Sequence, residues 1–71
     1  MIYEMRINSI GELQTLQRLA CKVDEDVFIH SKDDNTRVDA KSFIGLFTLD
    51  FTQPVIIVTE SAYLIGRLKK M

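Results

Sequence analysis

Four kinds of side chain in this 71-residue chain have the chemistry for a reaction or a binding event. They are the imidazole of His30, the thiol of Cys21, the hydroxyl of Ser42 and two short acidic runs. His30 is the only histidine, so any phosphotransfer through an imidazole must use it. It closes the segment Val27-Phe28-Ile29-His30, one position after an inward-facing Ile29, and has no arginine beside it in the chain. That placement predicts a histidine on the outer face of a sheet. Cys21 has no second cysteine to pair with and no histidine placed to activate it. A small, partly buried hydrophobe is the expected role. Asp24, Glu25 and Asp26, and later Asp33 and Asp34, lack the spacing of a calcium loop. One cysteine and one histidine fall short of a closed zinc site, so neither a metal nor a cofactor is expected. Ser42 follows Lys41 at the head of an apolar run and reads as a small polar residue starting a helix.

The elements that must position these groups can be followed along the chain. Ile2 to Ile7 alternates, with Tyr3, Met5 and Ile7 on one side and Glu4 and Arg6 on the other, as in a half-buried strand. Ser9 followed by Glu12 forms a capping box, in which each side chain can satisfy an amide left unpaired by the first helical turn. Leu13, Leu16, Ala20 and Val23 then make one helical stripe, widened by Leu19. Val27 to His30 is a second strand, Ser31 to Asn35 a polar turn, and Thr36 to Ala40 a third strand. Together they form an antiparallel hairpin.

The passage from Arg37 to Asp50 runs directly from that strand into a helix beginning near Lys41 or Ser42. With Phe43, Ile44, Leu46, Phe47 and Leu49, this helix is apolar around much of its circumference. Some eight residues long by its sequence pattern, it depends on tertiary packing. Gly45 weakens it and predicts close approach to a neighbouring element. Pro54 marks the entry to a β-branched strand, Val55 to Thr59. Ser61 can cap a last helix that buries Leu64, Ile65 and Leu68 and is weakened by Gly66. The order β-α-β-β-α-β-α predicts one α+β domain over residues 1–71, a two-layer sandwich of helices on an antiparallel sheet.

Composition agrees with a small globular domain. The apolar fraction is 46%, and ten acids against nine bases give a formal charge of −1. The basic cluster Arg67, Lys69, Lys70 reads as a solvated helix end that complements the helix dipole, and no nucleic-acid partner is expected. No apolar run is long enough for a membrane span, and no secretory signal is expected. A reducing, cytoplasmic setting suits a chain with one cysteine.

The two faces of the sheet can also be assigned. With Val38, Ala40, Ile56 and Val58 inward, Phe28, Val55 and Ile57 point away from the helices, and Ile2 joins them. Together with His30 they would form an apolar outer face suited to a protein partner or to weak self-association.

In its element order the chain resembles the HPr family, the phosphocarrier proteins of the bacterial sugar phosphotransferase system. The likeness is sharpest over V-D-A-K-S-F-I-G-L-F-T-L, Val38 to Leu49, where the family has a closing strand, a lysine-serine pair and a short glycine-containing apolar helix. It extends to D-E-D-V-F-I, which is similar to the family's second strand. The resemblance implies sheet order 1-4-2-3 with the helices on one face. It also implies that Ser42 lies where Gram-positive members carry a regulatory serine. The family's phosphate-accepting histidine, with its arginine and proline, belongs at the start of the first helix. There this chain reads Asn8-Ser9-Ile10-Gly11-Glu12-Leu13, a shorter connection with none of the three, and its last helix is also short. What the resemblance implies is thus a non-catalytic member, not an enzyme, acting as a regulatory or protein-interaction module. An atypical phosphocarrier or phosphorylatable regulator using Ser42 or His30 is the alternative.

Overall fold

In the computed structural model the elements follow the predicted order: β1 (Ile2–Met5), α1 (Ile10–Cys21), β2 (Val27–Ser31), β3 (Arg37–Asp39), α2 (Phe43–Leu46), β4 (Val55–Thr59) and α3 (Ala62–Leu68). The structure describes residues 1–71 apart from the side chain of Phe43, so the reading of Phe43 as apolar helix surface lies outside the described residues. The strands form one antiparallel sheet in the order β1-β4-β2-β3. The last strand in sequence is therefore central, bonded to β1 on one side and β2 on the other.

Register decides which side chains enter the core, and here one expectation is corrected. In β2 the alternation is clear: Val27 and Ile29 are fully buried while Phe28 is 40% exposed. Across the ladder Ile29 faces Ile57, and Ser31 faces Val55. Residues paired across a sheet share a face. Val55 and Ile57 are accordingly buried, at 1% and 0% exposure, and do not belong to the outer face. Ile56 and Val58 take that position instead, opposite His30 and Phe28. The run Val55-Ile56-Ile57-Val58 is apolar throughout, so its own pattern cannot set its facing; its neighbours do.

The helices cover the face that carries Val27, Ile29, Val55 and Ile57, and one core joins them through Leu13, Leu16, Ala20, Leu46, Leu64 and Leu68. Tyr3, Met5 and Val38 pack against its edge as half-buried side chains, and Ile7, just past the end of β1, is buried.

Helix α1 begins with a variant of the expected capping box. Ser9 Oγ accepts from the Glu12 amide at 3.1 Å, while a Glu12 carboxylate oxygen accepts from the Asn8 amide at 2.9 Å. The glutamate thus reaches one residue further back than the motif's usual partner. Helix α3 is capped likewise, the Leu64 amide donating to Ser61 Oγ at 3.1 Å. Helix α2 differs. It spans only four residues, about half the length predicted, and its first residue follows Ser42, whose side chain makes no capping hydrogen bond. Beyond it the chain continues in turns, Phe47 to Ile44 and Thr48 to Gly45.

The polar turn between β2 and β3 is tied by short bonds. Ser31 Oγ donates to Asp33 Oδ1 at 2.6 Å, and the Asn35 amide donates to the same oxygen at 3.1 Å. Asp34 adopts φ 61°, the left-handed geometry that aspartate tolerates better than most residues.

Candidate functional site

The start of α1, where the sequence directs a search for a phosphate site, is occupied by the chain's own groups. The capping box uses the Glu12 amide internally, and the Glu12 carboxylate brings negative charge to the helix N-terminus. An added phosphoryl group there would meet like charge. Beside this junction lies a hollow of about 370 Å³ whose lining includes Ile7, Ile10, Leu13, Phe47 and Phe51. Ile10 is 59% exposed and Phe47 55%, while Ile44, three residues before Phe47 and so on the same side of α2, is 83% exposed. Three large apolar side chains therefore face solvent where α1 begins and α2 ends.

The sequence contained part of this signal. Helix α2 is apolar all round, and a helix of four residues can bury only some of its circumference. Leu46 is completely buried, and Ile44 and Phe47 are left outside. Ile10 gave no such sign, because it lies before the stripe that begins at Leu13.

Ser42 is exposed, as a modification site must be. The preceding turn is set by Asp39, whose carboxylate accepts from the Lys41 amide at 2.9 Å and whose carbonyl accepts from the Ser42 amide at 3.0 Å.

His30 occupies the outer face, as its position in the strand predicts, and is half-buried between Arg37 and Ile56 on the flanking strands. The arginine missing from its sequence neighbourhood is thus supplied by the fold. That guanidinium is already engaged: Arg37 Nε and Nη2 donate to Asp34 at 3.2 and 2.8 Å. The same carboxylate lies 3.5 Å from His30 Nδ1. Hydrogen bonding and charge from Arg37 hold the Asp34 carboxyl below its ordinary range, and Asp34 in turn raises Arg37. The Ser31 hydroxyl and the Asn35 amide lower Asp33 in the same turn. His30 therefore faces an ionised carboxylate at neutral pH.

Of the residues expected to form the outer face, Phe28 and His30 are there and Val55 and Ile57 are in the core. The face is completed by Ile2, 73% exposed, with Ile56 and Val58 half-buried, and is crossed by a Glu4–Lys32 ion pair at 3.5 Å. Its apolar exposure is smaller than that around Ile44, because the two central-strand residues are partly covered.

Cys21 is exposed rather than partly buried. Its sulfur accepts from the Gln17 side-chain amide at 3.1 Å, and the Lys41 ammonium reaches the Val23 carbonyl at 2.9 Å. The first contact lies within α1; the second ties the loop ahead of α2 to the segment that follows α1. Among the described residues no cluster of three His, Cys, Asp or Glu side chains could hold a metal, and no helix is long and apolar enough to cross a membrane.

The C-terminal basic cluster divides. Lys69 lies over the Tyr3 ring, 5.8 Å from its centroid, at the edge of the sheet. Arg67 and Lys70 instead meet Arg18 and Lys22 across a groove between α1 and α3. Compared with the models of known protein families, with curated proteins and with solved structures, the chain matches none.

Proposed function

We propose that this chain is a non-catalytic, HPr-like module that binds a protein partner through the apolar surface where α1 begins and α2 ends. The observation that carries this reading is the exposure of Ile10 and Phe47, which line the hollow, together with that of Ile44, three residues before Phe47. Apolar side chains of this size gain most by leaving water, and their concentration at one end of a small domain marks an association surface. The HPr-like assignment is supported by the element order, by sheet order 1-4-2-3 and by the motif Val38 to Leu49.

Chemistry argues against a phosphocarrier role. The start of α1 has no histidine and carries Glu12. His30 has the ionised Asp34 3.5 Å away and an arginine already committed to that aspartate. Incubation with the phosphotransferase system's phosphoenolpyruvate-dependent first enzyme is expected to leave no acid-labile phosphate on the chain, and phosphate on His30 would overturn the reading. For binding, the protein is immobilised and exposed to cytosol of its source, in parallel with Ile44→Asp and Phe47→Asp. A specific partner is expected to be retained by the native chain and lost by both variants, with circular dichroism confirming that each variant is folded. Retention by both variants would place the contact elsewhere.

A second reading, phosphorylation at Ser42, is favoured by one observation: this serine is exposed and its hydroxyl is not used as a helix cap. A phosphate there would add charge to the margin of the same apolar helix, in a position to disfavour an apolar contact. Mass spectrometry of the chain isolated from its cell, with Ser42→Ala as control, tests it. Modification at another serine, or none, would remove this reading.

A further inference from the structure

The groove between α1 and α3 has a property that the apolar hollow lacks: it is positively charged on both walls. Arg18 and Lys22 stand on one side and Arg67 and Lys70 on the other, around a recess of about 400 Å³ that also includes Leu19 and Met71. Four of the chain's nine cationic side chains are thereby brought into one place by a protein whose formal charge is −1. Among the described residues none of the four has a carboxylate within ion-pairing distance, although three other cationic side chains do better or differently. Lys32 pairs with Glu4, Arg37 with Asp34, and Lys69 lies over Tyr3.

Helix propensity and dipole account for part of this arrangement. Arg18 lies in the last turn of α1 and Arg67 in the last turn of α3, where a cation is favourable. That does not explain the spacing. Arg18 and the C-cap Lys22 are four residues apart, and Arg67 and Lys70, just past the end of α3, are three apart, so each wall sets like charges close together, which is mildly unfavourable. The two helices then place both pairs against one another. Acidic side chains at these exposed positions would have neutralised the groove without touching the core.

We propose that this groove binds an acidic segment of a partner protein, with carboxylates between the two cationic walls and an apolar side chain over Leu19 and Met71. An acidic peptide suits the site better than its competitors. A nucleic acid needs a longer positive track with several phosphate contacts, and these four charges end within one groove on a molecule whose other charged side chains are five bases against ten acids. A bilayer presents a plane, whereas this site is a recess between helices. The proposal does not rest on the hollow beside Ile44: the two surfaces use different elements, and each can fail alone.

Fluorescence anisotropy with a labelled, glutamate-rich peptide carrying one leucine tests it directly. Saturable binding is expected that weakens as salt is raised, with loss of about tenfold or more in Arg18→Glu/Arg67→Glu, since charge reversal replaces attraction by repulsion. Lys32→Glu, a charge reversal on the sheet's outer face, should leave affinity unchanged. Amide shifts in the native protein should concentrate at 18–22 and 67–70, a readout that does not depend on how the double variant folds. Absence of saturable binding would overturn the proposal, as would equal binding by native and double-variant proteins of matching circular dichroism. Tighter binding of a labelled single-stranded oligonucleotide or of phosphatidylserine vesicles would overturn the choice of occupant.

Discussion

Helices α1 and α2 both begin on a serine, yet they are built in opposite ways. In α1, Ser9 and Glu12 bond the first turn, and the apolar stripe Leu13, Leu16, Leu19 and Ala20 is buried along its length. In α2, Ser42 makes no cap bond, the helix lasts four residues, and Ile44 and Phe47 face water. The first arrangement satisfies the backbone and the core together. The second leaves its serine out of the cap and sets two large apolar side chains against water. Leu46 anchors α2 in the core, and the exposed side chains beside it are where binding is most economically placed.

The largest expected effect lies in α1. Leu16 has no solvent exposure at the centre of the stripe, so Leu16→Ala should lower unfolding free energy by about 2–5 kcal/mol, measured by urea denaturation. In a domain of this size that is a large fraction of the total. An effect below this range would mean that the core around α1 refills easily, and the contrast with α2 would weaken.

The caps give a sharper and smaller test. Ser9→Ala removes the acceptor for the Glu12 amide and should cost about 1 kcal/mol, whereas Ser42→Ala should change stability by less than about 0.5 kcal/mol. Equal costs at the two sites would show that α2 uses its serine after all. Glycine supplies the reverse case. A β-carbon at Gly45 would meet Ser42 and Val38 at 3.6–3.8 Å, ordinary van der Waals distances, so the close approach expected from sequence does not occur there. Gly66 in α3 would meet nothing within 4 Å. Gly66→Ala should therefore stabilise by about 0.5–1 kcal/mol through helix preference alone, seen as a raised thermal midpoint.

The smallest effect concerns pH. Asp33, Asp34 and Asp50 are each held below the ordinary carboxyl value of 3.8: Asp33 by the Ser31 hydroxyl, Asp34 by Arg37, and Asp50 by Thr52. A carboxyl with a lowered folded-state pKa binds protons more readily when unfolded. Its contribution is present above 3.8 and is lost as pH falls further, so stability should decline below about pH 4, with Asp34→Asn flattening that decline. All three groups are on the surface, and the change should be slight compared with Leu16→Ala.

What could be seen in the sequence were the features set by near neighbours. Ser9-x-x-Glu12, the α1 stripe, the polar turn at Ser31 to Asn35 and Pro54 ahead of β4 each depend on residues within a turn or two, and each is found in place. The facing of Val55 to Val58 was not legible, because it is fixed by Val27 and Ile29 on another strand. The length of α2 was hidden for a related reason: a continuous apolar run reads as helix until the available core is known, and Leu46 and Leu49 take that room. The basic groove requires α1 and α3 to lie side by side, so only half of it could be seen as a cluster near the C-terminus.

The central place of β4 has a consequence for how the molecule comes into being. Residues 55–58 are bonded to residues 2–5 on one edge and, with Thr59, to residues 27–31 on the other. Before they are available, β1 has no partner strand, and the β2–β3 hairpin has no sheet to join. A nascent chain short of residue 55 has no complete sheet for α1 to pack on, and a helix of twelve residues is marginal by itself. Closing the sheet thus requires contacts that span most of the sequence, a topology that slows folding and delays it until late in synthesis. Until then Val27, Ile29 and the α1 stripe remain uncovered, and the cell must tolerate a chain that acquires its core almost all at once.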